Sequence, residues 1–506
     1  MKKIFLSGIA ASLLFVVSCQ TEFDNDTEDV AVTSGNANFS KYVALGNSLT
    51  SGYRDGALYS SGQAESYPLM LATQMKLAGG GEFTQPMMPN DVGGFIGIPG
   101  FGGKYTLKVV SGAISPVQSD AAAALDIIGG AGKYFNNMGV PGAKSFHLVT
   151  PGYGSAANLA AGKANPYFVR FATSASTTVL ADAMAQKPTF FSLWIGANDV
   201  LSYATSGGSG VDQTGNTNPA TYGSNDISDP NVVAASIKGV LDGLKSVGTT
   251  QGAISNIPYV SSVPYFTTVP YNPLTPAALG ANLAALNSGL YGPLKQALTA
   301  FGAGTRINLL SSTSANPVLI KDTSLTNLSA QLTAALTPSL GAATAAAFGQ
   351  IYGQARQATS EDFVLLPASS IIAKTNPSAP ASINVYGVSY PLDNQYVLTK
   401  TESALVTAAT DAYNASITSL ASSYGLALVD SKAKMMELNS TSGIQWDGVK
   451  YTSKFVTGGT FSLDGVHPLG RGYAIIANEY LKAINLKYRS NLPMVNPNSY
   501  TGVMFP

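Results

Sequence analysis

The sequence predicts an α/β fold in which a parallel sheet is covered by helices on both faces, and two observations predict it. The run Thr189–Ile195 (TFFSLWI) is apolar without interruption, as in a strand that has no solvent-facing side. Other short apolar runs alternate with helical patterns along the chain, the order that a parallel sheet with crossover helices requires. At 506 residues there is room for up to about three domains of ~150 residues, and 45% hydrophobic content is enough for a large core.

In chain order, Lys41–Leu45 reads as a buried strand closed by Gly46-Asn47. Ser66–Leu77 has helical spacing and stops at Gly79-Gly80-Gly81, a glycine terminator. Residues 82–128 open with a Gly-, Pro- and Met-rich stretch lacking periodicity and read as an irregular insertion; a polar Gly/Ser/Asn/Thr loop spans 206–229. Val232, Val233, Ile237, Val240, Leu241, Leu244 and Val247 share one helical face, and Gly252–Ile257 is the next strand. Helical patterns recur at Pro276–Leu298, Leu325–Phe348 and Ser403–Tyr424. The first must kink or break near Pro293, which has no N–H to donate. Leu426–Asp430 is a strand ending in a carboxylate. Pro468–Asn485 is a final amphipathic helix, with Pro468 expected in its first turn.

Composition narrows the function classes. Charged residues make up 11%, far below the roughly 25% usual for soluble proteins. The 28 basic and 28 acidic residues cancel, so no electrostatic footprint for nucleic acid exists. A single cysteine excludes intramolecular disulfides and multi-cysteine metal sites. Two histidines, His147 and His467, are the only candidates for imidazole chemistry. No His-x-x-x-His pair, Walker loop or dinucleotide glycine fingerprint is present, so neither a metal nor a cofactor is expected.

Lys2-Lys3, an apolar run from Ile4 to Val17, and Ser18-Cys19 read as a secretory signal too short to span a bilayer, which takes about 20 residues. The ending Val16-Val17-Ser18-Cys19 resembles the bacterial lipobox, which implies cleavage after residue 18 and lipidation of Cys19. Glu22, Asp24, Asp26, Glu28 and Asp29 follow, and residues 19–40 are expected to form a solvated acidic tether. This stretch resembles the acidic leaders of Bacteroidetes-type lipoproteins exported to the cell surface, implying an outer-membrane location and a membrane partner through Cys19.

Three segments carry chemistry. Gly46-Asn47-Ser48-Leu49 follows the first strand, where nucleophiles of open parallel sheets sit, although a serine there also serves as a helix cap. Gly196-Ala197-Asn198-Asp199 follows the second, and an Asn at a strand end offers a neutral amide donor to an oxyanion, or caps a turn. In Asp464-Gly465-Val466-His467-Pro468 the spacing of three brings a carboxylate back to an imidazole within one turn. His147 lacks a partner at such spacing and reads as a structural or surface residue.

In this order the segments resemble the GDSL or SGNH hydrolase superfamily, from Tyr42-Val43-Ala44-Leu45-Gly46-Asn47-Ser48-Leu49 to Asp464-Gly465-Val466-His467-Pro468. The resemblance implies a flavodoxin-like three-layer α/β/α sandwich with a mostly parallel sheet over 41–487. It would carry large insertions near 82–128, 206–229 and 300–400 and a C-terminal extension over 488–506. It implies Ser48 as nucleophile, His467 as base and Asp464 as the residue orienting it. The oxyanion hole would comprise the Ser48 N–H, the Asn198 amide and the N–H of Gly142 in the segment Asn137-Met138-Gly139-Val140-Pro141-Gly142-Ala143, with Gly139 of that segment in reserve. The implied activity is hydrolysis of carboxylic esters of lipids or acetylated glycans. The usual Asp of the first motif is replaced by Asn47, and Ser48 and Gly142 stand unusually far apart, so the insertion at 82–128 must fold over or beside the site. A lid from Leu325–Phe348 and an ordinary pair of core helices are both open, as is the alternative of a non-catalytic surface lipoprotein that uses the fold to bind a ligand.

Overall fold

Five short apolar strands pair in parallel to make the centre of the molecule: β1 (Tyr42–Gly46), β2 (Asn137–Gly139), β3 (Phe190–Trp194), β4 (Gly252–Ser255) and β5 (Ala427–Val429). Their order across the sheet, β2-β1-β3-β4-β5, is the flavodoxin-like doubly wound order. This computed structural model describes residues 31–110 and 112–506. The signal segment, Cys19 and most of the expected tether therefore lie outside the described residues.

Strand alternation separates two cores. Val43, Leu45, Phe191, Leu193 and Ile254 point to one face. There α3 (Val179–Ala185), α5 (Pro230–Ser246) and α6 (Lys400–Ser423) cover them. Tyr42, Ala44, Phe190, Trp194 and Ala253 point to the other, against α2 (Tyr67–Lys76) and α8 (Gly470–Tyr488). The result is three layers, as the continuous apolar strands predicted. Short helices α1 (Ser48–Ser51), α4 (Asn198–Thr205) and α7 (Ser431–Leu438) follow β1, β3 and β5 directly. At about 25 cal/mol per Å² of apolar area, each buried aromatic or branched side chain of these faces contributes roughly 1.5–3 kcal/mol.

Several expectations are corrected. Residues 33–40 are packed rather than free: Asn36 N–H donates to the Tyr488 carbonyl, Thr33 N–H to Asn491, and Phe39 is buried between strand and helix. The expected insertion at 300–400 starts earlier, because residues from Val269 to Val397 build a lobe with its own core around Leu294, Leu319, Leu332 and Tyr352. The pattern at 276–298 is split into Pro276–Leu279, Asn282–Leu286 and Gly292–Ala300. A single π turn, Asn287–Tyr291, precedes Pro293 and absorbs its missing donor. The pattern at 325–348 is two helices, Ser329–Leu340 and Ala342–Tyr352, packed on each other and separated by Gly341 at φ +76°. Pro468 sits before the last helix, in an extended bridge with Phe461, and Leu469 is the cap.

Candidate active site

In doubly wound sheets the ligand crevice opens where strand order reverses, here between β1 and β3. Each of these strands ends beside the crevice in a glycine turn and a helix start. Gly46 is required because a Cβ there would lie 2.4 Å from the Trp194 carbonyl oxygen at the end of β3. Asn47 then caps α1, its Oδ1 accepting the Leu49 N–H at 3.0 Å. Ser48 is thereby held, nearly buried, at the first helical position.

His467 reaches Ser48 from a position 419 residues downstream, its Nε2 2.9 Å from Ser48 Oγ. Its Nδ1 lies 2.9 Å from Asp464 Oδ2. Asp464 is saturated with donors. Oδ1 accepts the Val466 and His467 N–H groups at 2.8 Å each and the Ser462 hydroxyl at 3.0 Å; Oδ2 accepts the Gly56 N–H at 2.9 Å. Burial works to raise this carboxyl, but the neighbouring imidazole and its hydrogen bonds prevail and hold it down at about 2. An ionised Asp464 fixes the tautomer: Nδ1 carries the proton, leaving Nε2 free to accept from the Ser48 hydroxyl.

The second wall of the crevice is a clasp between α4 and the loop after β2. Val140–Pro141–Gly142–Ala143 is a β-turn closed by Ala143 N–H to the Val140 carbonyl at 3.1 Å. Pro141 and Gly142 (φ +81°) occupy the positions a type II turn prescribes for them. Asn198 Nδ2 donates to the Ala143 carbonyl at 2.9 Å, and Asp199 accepts the Ser145 N–H and hydroxyl at 2.8 and 3.0 Å. Burial pushes the Asp199 carboxyl up and the neighbouring Lys144 ammonium down, and each opposes the other's shift. Among the described residues no protein acceptor bonds the Ser48 or Gly142 N–H. The Gly139 N–H, by contrast, is taken by Asn137 Oδ1 at 3.0 Å, which removes it as the reserve donor.

Ser48, Asn198 and His467 line one cleft, walled by Leu201, Ile257, Pro258 and Val263. Neither Gly142 nor Asp464 lines it: Gly142 precedes Ala143, whose carbonyl holds the lining Asn198, and Asp464 stands behind His467. No residue of 325–348 lines this cleft, so that helix pair is not its lid. The insertion at 82–128 lies beside the site. Tyr105 N–H bonds the Asp55 carbonyl, while Phe95 and Phe101 pack on Tyr167, whose ring meets Tyr53. Tyr53 in turn packs against the His467 ring with centroids 4.7 Å apart. His147 takes a structural place: its Nδ1 accepts the Lys144 N–H at 3.0 Å, its ring stacks on Tyr153, and burial beside Lys144 lowers it to about 3.

Tyr53, Gly56 and Ser462 are the participants the sequence reading missed. Asp55-Gly56 is a visible turn dipeptide, and Ser462 stands two residues before Asp464, but no local pattern pairs them across 400 positions. No protein-family model matches the chain, and no curated protein matches it.

Proposed function

We propose that the protein is a serine ester hydrolase working through an acyl-enzyme. One observation carries the reading: an unbroken chain of hydrogen bonds from Ser48 Oγ through both nitrogens of His467 to a carboxylate kept ionised. In the mechanism it supports, Ser48 Oγ attacks the ester carbonyl while His467 Nε2 takes its proton. Asp464 stabilises the imidazolium. The Ser48 and Gly142 N–H groups and the Asn198 amide receive the developing oxyanion. His467 then returns the proton to the departing alcohol, and water, activated by the same imidazole, releases the acid.

The triad and its neutral donors match the roles the GDSL or SGNH resemblance assigns, and the strand order agrees with that fold. Lipidation at Cys19 and residence at a bacterial outer membrane belong to the same proposal and rest on the lipobox-like ending and acidic leader.

Purified protein should hydrolyse p-nitrophenyl esters and take up a fluorophosphonate at Ser48. Ser48→Ala and His467→Ala should fall to background, and Asn198→Ala should lose about 10²–10³ in turnover. A folded wild type that neither hydrolyses such esters nor is labelled at Ser48 overturns the reading in favour of a ligand-binding lipoprotein.

A further inference from the structure

A second cavity, about 110 Å³, opens next to the Ser48 cleft and shares Leu49, Pro258, Val263 and Val466 with it. Its remaining wall comes from α7, α8, the hairpin Ile444–Trp446/Val449–Tyr451 and the loop that carries His467. Met435, Leu438, Ile444, Phe461, Ile475 and Ile476 are its apolar surface. It meets the reacting serine through apolar side chains alone.

The polar groups around it decide what it can receive. Ser431 Oγ lies 2.6 Å from Ser255 Oγ, and Thr460 Oγ1 donates to the Thr452 carbonyl at 2.6 Å. Trp194 Nε1 donates to the Asn256 carbonyl at 3.0 Å. Lys434 is paired with Glu437 at 2.6 Å and Glu479 at 3.1 Å. Every polar side chain on the wall thus has a protein partner already. A sugar placed here would find a spare acceptor only at the Glu479 carboxylate and would bury its other hydroxyls against Met435, Leu438, Ile444, Phe461, Ile475 and Ile476, each at a cost of about 1–3 kcal/mol by general mutational experience. A hydrocarbon chain needs no partners.

We propose that this cavity holds an unbranched hydrocarbon chain of the substrate, making long-chain esters, rather than acetylated glycans, the class hydrolysed at Ser48. The proposal rests on the ester-hydrolase reading for its chemistry and on the cavity alone for its binding. The chain belongs to the acid or to the alcohol, and two substrate series separate these.

The experiment compares kcat/KM for p-nitrophenyl acetate, butyrate and decanoate, and for ethyl and decyl acetate, below their micelle concentrations. Burial of one methylene gives about fourfold, so a chain longer by six carbons should gain at least a hundredfold in one series. Ile476→Trp, which fills the cavity from α8, should lower that long-to-short ratio at least tenfold; Leu438→Trp does the same from α7 if the first variant fails to fold. Ratios near one in both series, or ratios that folded filled variants leave unchanged, overturn the proposal. Should the wild type hydrolyse nothing, the cavity is judged by calorimetric titration of Ser48→Ala with decanoate and decanol. Saturable binding lost on adding Ile476→Trp supports it, and absence of binding overturns it.

Discussion

Asp464 combines structural and electrostatic roles in one side chain. Its five accepted hydrogen bonds tie together its own loop, Gly56 from the first loop of the domain, and the His467 ring. With the carboxyl lowered from 3.8 to about 2, its ionised form is favoured in the folded state. That contribution, about 2 kcal/mol at 1.36 kcal/mol per pH unit, is present above the unfolded value and lost as pH falls from about 4 through 2. Asp464→Asn should accordingly be less stable by about 2 kcal/mol at pH 7, and the gap to wild type should close between about pH 4 and pH 2. Urea unfolding at pH 7 and pH 2.5 checks this; an equal gap at both values would show that hydrogen-bond geometry, not charge, supplies the stability. In the ester-hydrolase reading the same variant loses about 10⁴ in turnover, because an amide donating to Nδ1 moves the imidazole proton to Nε2, where the Ser48 hydroxyl must be accepted.

At the scale of single elements, the turn Val140–Ala143 shows how backbone conformation presents a donor. A type II turn flips its central peptide, so the Gly142 N–H points away from the chain and has no protein acceptor among the described residues. Gly142→Ala meets no crowding, the nearest atom to a new Cβ being Asn165 Nδ2 at 3.8 Å, so its cost is the left-handed backbone alone, about 1–2 kcal/mol. The relaxed turn should also re-aim the N–H, and kcat on p-nitrophenyl esters should fall while KM changes little. Normal kcat in a variant whose melting temperature has dropped would remove Gly142 from the oxyanion hole. The strand-end motifs around Ser48, Asn198 and His467 were legible in sequence because each is local: a glycine turn, a cap position, a carboxylate and imidazole three residues apart. Helix interruptions were less so. Leu325–Phe348 keeps its apolar spacing through Gly341, and periodicity cannot register one residue at φ +76°. Pro468 suits a first helical turn by its φ, but its bridge to Phe461 holds it outside the helix, a contact made in three dimensions only.

Among the described residues, a sheet body with a core on each face meets a lobe that has a core of its own. The sheet and its helices bury one set of side chains, and the lobe from Val269 to Val397 buries another. At the seam the pairing of Phe363–Val364 with Val397–Leu398 divides its side chains by alternation: Val364 and Val397 enter the lobe, Leu365 and Leu398 the sheet side. Helical spacing in the sequence announces a buried face without saying which core receives it. For this reason the expected insertion begins only near 300, although the segment at 276–298 already packs in the lobe. Separate cores with few shared side chains unfold as separate cooperative units. The two tryptophans, Trp194 in β3 and Trp446 in the hairpin beside α7, both lie outside the lobe. In urea, tryptophan fluorescence should therefore follow one transition, while far-UV circular dichroism shows that transition and a second from the lobe helices. Ser48 and the residues lining its cleft also lie outside 269–397, so fluorophosphonate labelling should decay with fluorescence and not with the additional dichroism step. Coincidence of all three signals at one midpoint would mean that the Phe266–Phe363 contact and the packing of Leu366 against Gly465 couple the lobe to the His467 loop strongly enough to make one folding unit.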